Sequence, residues 1–418
     1  MTLGEGDRKA MKYDFDRVVE RRGTHSVKWE FVPDAGNPLR WKKKAPLFGN
    51  DGTLPLWIAD MDFPCPAPVV EALVARARHG IFGYTEKPPS YAGAVVRWMG
   101  RRHGWKVAPE WICATPGVVP ALNLLIRTFV APGEKVLIQP PVYYPFHSAV
   151  RNNGAKILES PLVLEGGRHF MDFDDLREKT ADPLLKMAIL CNPHNPVGRV
   201  WTHGELVRFG TLCRERGVLV VSDEIHGDIV HEGRRFTPFG TIGGRLSGNA
   251  CICTAPSKTF NLAGLHTSNI IISDEGLRAR FEKSLGRTGF LGVGPFGIAA
   301  LEAAYDQGES WLEQVLAYIG GNLRFLKDFV RSGIPRIGVI APEGTYLVWL
   351  DCRGLGMDSL RLERFWIEEA KVRVDQGSLF GKGGEGFVRM NIACPRVLLG
   401  QALDRLKRAV EKRAPLTT

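Results

Sequence analysis

The sequence predicts an α/β protein: a mostly parallel central sheet with helices on both faces, plus a smaller α+β domain. Three observations point there. The chain has 418 residues, more than one ordinary core accommodates. Between about Pro116 and Ser284, short apolar runs alternate with helical patterns. From about Gly294 the alternation gives way to a long helical region followed by clustered strand candidates.

The apolar runs are Lys135–Gln139, Ala155–Leu158, Met187–Cys191, Val218–Ser222, Ala250–Thr254 and Ser268–Ile272. They are short and mostly β-branched or leucine, which suits strands buried on both faces. A helical pattern starts at Pro66 (Val69, Val70, Leu73, Val74, Ala77), and an apolar helix spans Val118 to Phe129. The second domain begins with helix from about Gly294 to Arg331. Strand candidates at Thr345–Leu350, Val372–Asp375 and Gly386–Asn391 follow, and a last helix covers about Pro395–Lys412. The expected division is 1–60, an irregular segment packing with the small domain; 61–290, the large domain; and 291–418, the small domain.

Composition narrows the function. The net charge is +10, but the densest basic run is only Lys42-Lys43-Lys44, and no basic stripe is interleaved with aromatics. Nucleic-acid binding is therefore not expected. No stretch of about 18 apolar residues offers a membrane span. The 8 cysteines are scattered, with no spacing for zinc or a disulfide scaffold. The N-terminus MTLGEGDRKA lacks the apolar core of a signal peptide, and a reducing, cytoplasmic setting is expected.

Chemistry concentrates where strands end. In an open α/β sheet, ligands bind beyond the carboxyl ends of the strands. Met187–Cys191 runs into Asn192-Pro193-His194-Asn195, Val218–Ser222 into Asp223-Glu224-Ile225-His226, and Ala250–Thr254 into Ala255-Pro256-Ser257-Lys258. Parallel strands would aim Asn195, Asp223 and Lys258 at one rim. Alone, each is most often a solvated surface group. Together they suit a lysine–aldehyde cofactor: an amine to bond it, a carboxylate to keep a pyridine nitrogen protonated, an amide donor to orient the ring. Pro116-Gly117 before the helix at Val118 offers a phosphate seat, although an ordinary helix start has the same look. Tyr143, in the loop after another strand, could stack on a ring or simply pack beneath the loop.

NPHNPVG, SDEIHGD and SKTFNLAGL, in this order, resemble the fold type I pyridoxal-phosphate (PLP) enzymes, the class I/II aminotransferase superfamily. YDFDRVVERRGTHSVKWE, LPLWIADMDFPCP, FGYT, SDEIH and GFVRMNIACPR resemble its bacterial cystathionine β-lyase type C–S lyases. The resemblance implies PLP on Lys258 as a Schiff base, with Asp223 on the pyridine nitrogen. It places Asn195 and His226 at the ring hydroxyl and Tyr143 against the ring. Val118, Val119 and Ser257 would hold the phosphate, with Tyr84 reaching it from the partner subunit of a homodimer. Arg389 would fork onto the substrate carboxylate, with Ala59 and Tyr84 also at the substrate. Two positions depart from the wider pattern: Ala255, where many relatives have serine, and His266, where many have arginine. The expected reaction is α,β-elimination from an S-substituted cysteine. An aminotransferase is the competing expectation; intact Lys258, Asp223 and Arg389 speak against a catalytically dead regulator.

Overall fold

The computed structural model describes residues 11–34 and 37–413. Its centre is a seven-stranded sheet: β1 (Ile112–Thr115), β2 (Lys135–Ile138), β3 (Lys156–Glu159), β4 (Leu185–Cys191), β5 (Leu219–Asp223), β6 (Ala250–Thr254) and β7 (Ser268–Ile271). The spatial order is β1-β7-β6-β5-β4-β2-β3. Strands β2 to β6 pair in parallel, and β7 runs antiparallel to both its neighbours. The six expected strands are present. The short β1 was not anticipated, because ICAT gives only four residues between a turn and a Pro-Gly.

The strands are apolar throughout because both faces are covered. From Met187 onward along β4, Met187, Ile189 and Cys191 join one core while Ala188 and Leu190 join the other. This is the two-residue period of a strand buried on both sides. The helices Val118–Phe129, Pro145–Asn152 and Glu275–Gly286 supply buried residues to the first core. Pro89–His103, His203–Glu215 and Pro295–Gln307 supply the second.

A second, antiparallel sheet comprises β8 (Gly338–Ile340), β9 (Leu347–Asp351), β10 (Asp375–Gln376) and β11 (Phe387–Asn391), in the order β8-β9-β11-β10. Helices Glu309–Gly333 and Arg396–Glu411 flank it. The long helical region expected after Gly294 is two helices, Pro295–Gln307 and Glu309–Gly333, meeting at Gly308. A Cβ on Gly308 would lie 2.6 Å from the Phe260 ring, so the junction needs glycine.

Residues 1–10 and 35–36 of the expected 1–60 segment lie outside the described residues, and the rest is less irregular than expected, since Phe31–Asp34 pairs with Asn37–Lys43. Leu54–Pro55 pairs in parallel with Val372–Arg373, and Asn391 Nδ2 donates to the carbonyls of Ile58 and Asp60. These bonds lead residues 54–62 past the small sheet and over the ends of β4 to β6.

Candidate active site

Register brings the strand ends level. Asp223, the last residue of β5, pairs with Cys191 at the end of β4 and Cys253 near the end of β6. Asn195 and Lys258 each follow within a few residues of a strand end. A cavity of about 290 Å³ opens there. It is lined by Ala59, Val118, Val119, Tyr143, Asn195, Asp223, His226, Ser257 and Lys258. The cavity thus brings together nine residues drawn from six separate segments.

Lys258 sits on the short helix Pro256–Thr259, and its Nζ donates to the carbonyl of Ala59 at 2.7 Å. Burial disfavours the ammonium and pulls the amine down to about 8, against the opposing pull of Asp60. A lysine near 8 keeps a usable fraction of free base at neutral pH.

Asp223 is buried, and one carboxylate oxygen accepts the Ile225 N–H at 3.2 Å. Burial raises its carboxyl to about 6, opposed by that hydrogen bond and by Lys258. Its Oδ2 has no partner among the described residues. A cationic N–H placed there would be held as a charge-assisted hydrogen bond.

Asn195 Oδ1 accepts from Arg389 Nη1 at 2.9 Å, so the amide NH2 is its remaining donor. His226 is buried, with Nδ1 unpartnered. Burial, reinforced by Lys258 and Arg389, holds its imidazole neutral. Tyr143 meets Phe146 edge-on, with centroids 5.9 Å apart, and burial raises its phenol further.

One end of the cavity is built from backbone. Gly117 precedes the helix Val118–Phe129 at φ 154°, ψ 161°, a conformation reserved for glycine. The first intrahelical bond is Ala121 N–H to Gly117 C=O, and Pro120 has no N–H. Val118 and Val119 therefore carry the free donors of the first turn, at the positive end of the helix dipole. Ser257, His266 and Thr267 complete this end. Ala255 is absent from the lining and offers no hydroxyl. An amine, a lone carboxylate oxygen, an amide donor, an unpartnered imidazole and a helix N-terminus fit a phosphorylated pyridine aldehyde.

Two expected residues lie outside the cavity lining. Arg389 is buried on β11, between Trp349 on β9 and Asp375 on β10. Its guanidinium pairs with Asp375, donates to the Trp57 carbonyl at 3.3 Å and leaves Nε unpartnered. Tyr84 is 99% exposed in the single chain.

Sequence reasoning missed several neighbours. Tyr346 donates its hydroxyl to the Ala59 carbonyl that Lys258 also uses, at 2.9 Å, and its ring lies 6.0 Å from that of His226. Asp375, the counter-ion of Arg389, stands in the sequence only as the last residue of a strand candidate. Ile225, Cys191 and Thr267 also line the cavity. The one available signal was a polar-tipped aromatic, Tyr346, opening an otherwise apolar strand.

Among the described residues, no group of three His, Cys, Asp or Glu side chains could hold a metal, and no helix is long and apolar enough to cross a membrane.

The family model for aminotransferase class I and II matches residues 53–406. Cystathionine beta-lyase PatB of Bacillus subtilis is 43% identical over 95% of this chain and 100% of its own. Cystalysin of Treponema denticola, whose crystal structure contains pyridoxal 5'-phosphate, superposes with a TM-score of 0.91 at 38% identity, covering 97% of this chain and 100% of that one. A PLP-bound putative aminotransferase from Clostridium difficile gives 0.89 at 39% identity, covering 96% and 100%. The chain belongs to the aminotransferase class I and II family, among members that include the relatives named cystathionine beta-lyase.

Proposed function

We propose that this chain is a PLP-dependent carbon–sulfur β-lyase, releasing a thiol, pyruvate and ammonia from cystathionine or another S-substituted cysteine. The 43% identity to a cystathionine beta-lyase, spanning 95% of the chain, carries this reading. When bound, PLP supplies an electron-accepting pyridine ring conjugated to the substrate Cα.

The residues have separable tasks. Lys258 would bond the cofactor aldehyde and, once displaced by the substrate amine, take the Cα proton on Nζ. The Ala59 carbonyl holds that Nζ in place at 2.7 Å. Asp223 would keep the ring nitrogen protonated. Asn195 and His226 would bond the ring hydroxyl, and Tyr143 would cover a ring face. Val118, Val119 and Ser257 would hold the phosphate. Arg389 would take the substrate carboxylate; its unpartnered Nε and its link to Asn195 support that task.

Tyr84 would reach the phosphate and substrate of a second copy, making the enzyme a homodimer with shared sites. The exposure of Tyr84 at 99%, beside Ile81 at 70% and Phe82 at 53%, supports this. A cytoplasmic location agrees with eight free cysteines. The division into a large PLP-binding domain at 61–290 and a small domain at 291–418, with the segment 1–60 packing with the latter, is proposed for the described residues of each part on the two separate sheets and the Leu54–Val372 pairing; 1–10, 35–36 and 414–418 lie outside them.

An aminotransferase is the second reading, favoured by the Clostridium difficile neighbour's name. It would share the same proton abstraction by Lys258 and differ only afterwards. The test supplies cystathionine without a keto acid. Release of pyruvate with an equal amount of thiol supports the lyase. Amino transfer only on addition of a keto acid, without pyruvate, overturns it.

A further inference from the structure

Behind Lys258, away from the cavity, lies a buried carboxylate for which the reaction as described has no use. Asp228 ends the loop that carries Asp223 and His226. Its Oδ1 accepts from Trp98 Nε1 at 3.1 Å and meets His103 Nε2 at 2.7 Å. Its Oδ2 accepts from the Thr259 hydroxyl at 2.6 Å. Thr259 is fully buried and directly follows Lys258. Burial alone would raise the Asp228 carboxyl, but the His103 and Thr259 hydrogen bonds outweigh it and hold the group ionised.

The surroundings are rigid. Trp98 is fully buried and stacked on Tyr305, with centroids 5.2 Å apart and planes at 5°. His103 is pinned edge-on by Phe236 at 5.2 Å. The helix Pro89–His103 therefore fixes Asp228 through two donors, and Asp228 passes that position on through one hydrogen bond to the residue beside the reactive lysine. The helix carrying Lys258 has only four residues, and a turn that short depends on tertiary contacts as well as its own backbone bonds.

We propose that Asp228 and Thr259 are positioning residues: their hydrogen bond locks the Lys258 helix to the loop bearing Asp223 and His226, and so sets where the lysine amine stands. A side chain held from behind its own backbone keeps the reacting atoms aligned, and misplacement near 1 Å can cost about a hundredfold in rate. The proposal rests on Lys258 being the PLP-bearing amine.

The test uses holoenzyme with Thr259→Val, which keeps shape and removes the donor; Thr259→Ser, which returns it; and Trp98→Phe, which removes a donor to the other oxygen of Asp228. Readouts are kcat, KM, Tm and the visible circular dichroism of the lysine-bound chromophore. Thr259→Val is expected to lower kcat about tenfold at near-constant KM and to cut the dichroism by about half. Thr259→Ser should restore both. Trp98→Phe leaves His103 on the same oxygen of Asp228, so it should lower Tm and reduce kcat and dichroism by clearly less than Thr259→Val does. Wild-type kcat and dichroism in Thr259→Val overturn the proposal, as do equal losses in Trp98→Phe. If Thr259→Val yields no soluble holoenzyme, Thr259→Cys, with its weak donor, is judged by the same criteria. Borohydride trapping of wild-type enzyme separates the two ideas: label elsewhere than Lys258 removes the underlying reading, whereas label on Lys258 with an unaffected Thr259→Val removes the lock alone.

Discussion

The floor and the roof of the cavity are built by different means. The floor carries Asn195, Asp223 and Lys258 just past β4, β5 and β6, whose parallel ladders fix their relative heights. The roof is gathered from distant stretches of chain. Lys258 and Ala59 are 199 positions apart, Tyr346 and Ala59 287, and Arg389 and Trp57 332. The floor is held by backbone pairing that many sequences would make. The roof is held by particular side-chain bonds, above all Arg389 to Asp375 and Asn195. Damage to the floor should therefore appear in the chemical step with the fold intact, and damage to the roof in substrate affinity and stability together.

The largest effect is expected at the floor. Asp223→Asn removes the charge that would face the ring nitrogen while keeping the Ile225 bond available. A drop in kcat of about a thousandfold with little change in Tm is expected. A Tm loss as large as that of roof variants would erase the distinction.

Arg389→Met tests the roof. It strands Asp375 in a buried position, at a cost of about 3–5 kcal/mol in urea unfolding. KM should rise about a hundredfold alongside. Asp375→Asn in that background should recover much of the stability but none of the KM, because a neutral amide needs no counter-ion.

A smaller effect sharpens the floor. Burial brings the Lys258 amine to about 8, so its free-base fraction grows as pH rises towards that value. Capture of PLP by apoenzyme should accelerate about tenfold per unit below pH 7 and level off above about 8. A rise continuing past pH 10 would mean an amine in open water.

The smallest lies beneath the floor at Glu224, which accepts from Ser222 Oγ at 2.9 Å and Phe239 N–H at 2.7 Å. Burial raises this carboxyl to about 8. The folded chain then keeps a proton that the unfolded chain releases near its ordinary value. Its stabilising contribution is present at low pH and declines as pH rises through about 8. Glu224→Gln should narrow the Tm difference between pH 6 and pH 9 by a few degrees.

The same contrast explains what could be read from sequence. Strands buried on both faces are continuous apolar runs, and each run stops at a polar motif, so NPHN, SDEIH and SK point to one rim before any coordinates exist. The free donors at the start of the helix Val118–Phe129 were legible for a similar reason, since Gly117 and Pro120 lie beside them. β1 was hidden by its length, and the helix break at Gly308 by a packing contact with Phe260 that no periodicity records. Arg389 could be named from its motif, but not its burial against Asp375, which depends on the β10–β11 register. Thr259 acts through a single bond to a remote residue, and nothing in its local sequence marks it.

The central claim is that one amine, Lys258, carries the cofactor. Borohydride reduction of the yellow holoenzyme, followed by peptide mapping, tests it directly. The account predicts a single reduced pyridoxyl label on Lys258, and no label, colour or turnover in Lys258→Ala. Label on a different lysine, or a Lys258→Ala enzyme that stays yellow and active, would contradict it.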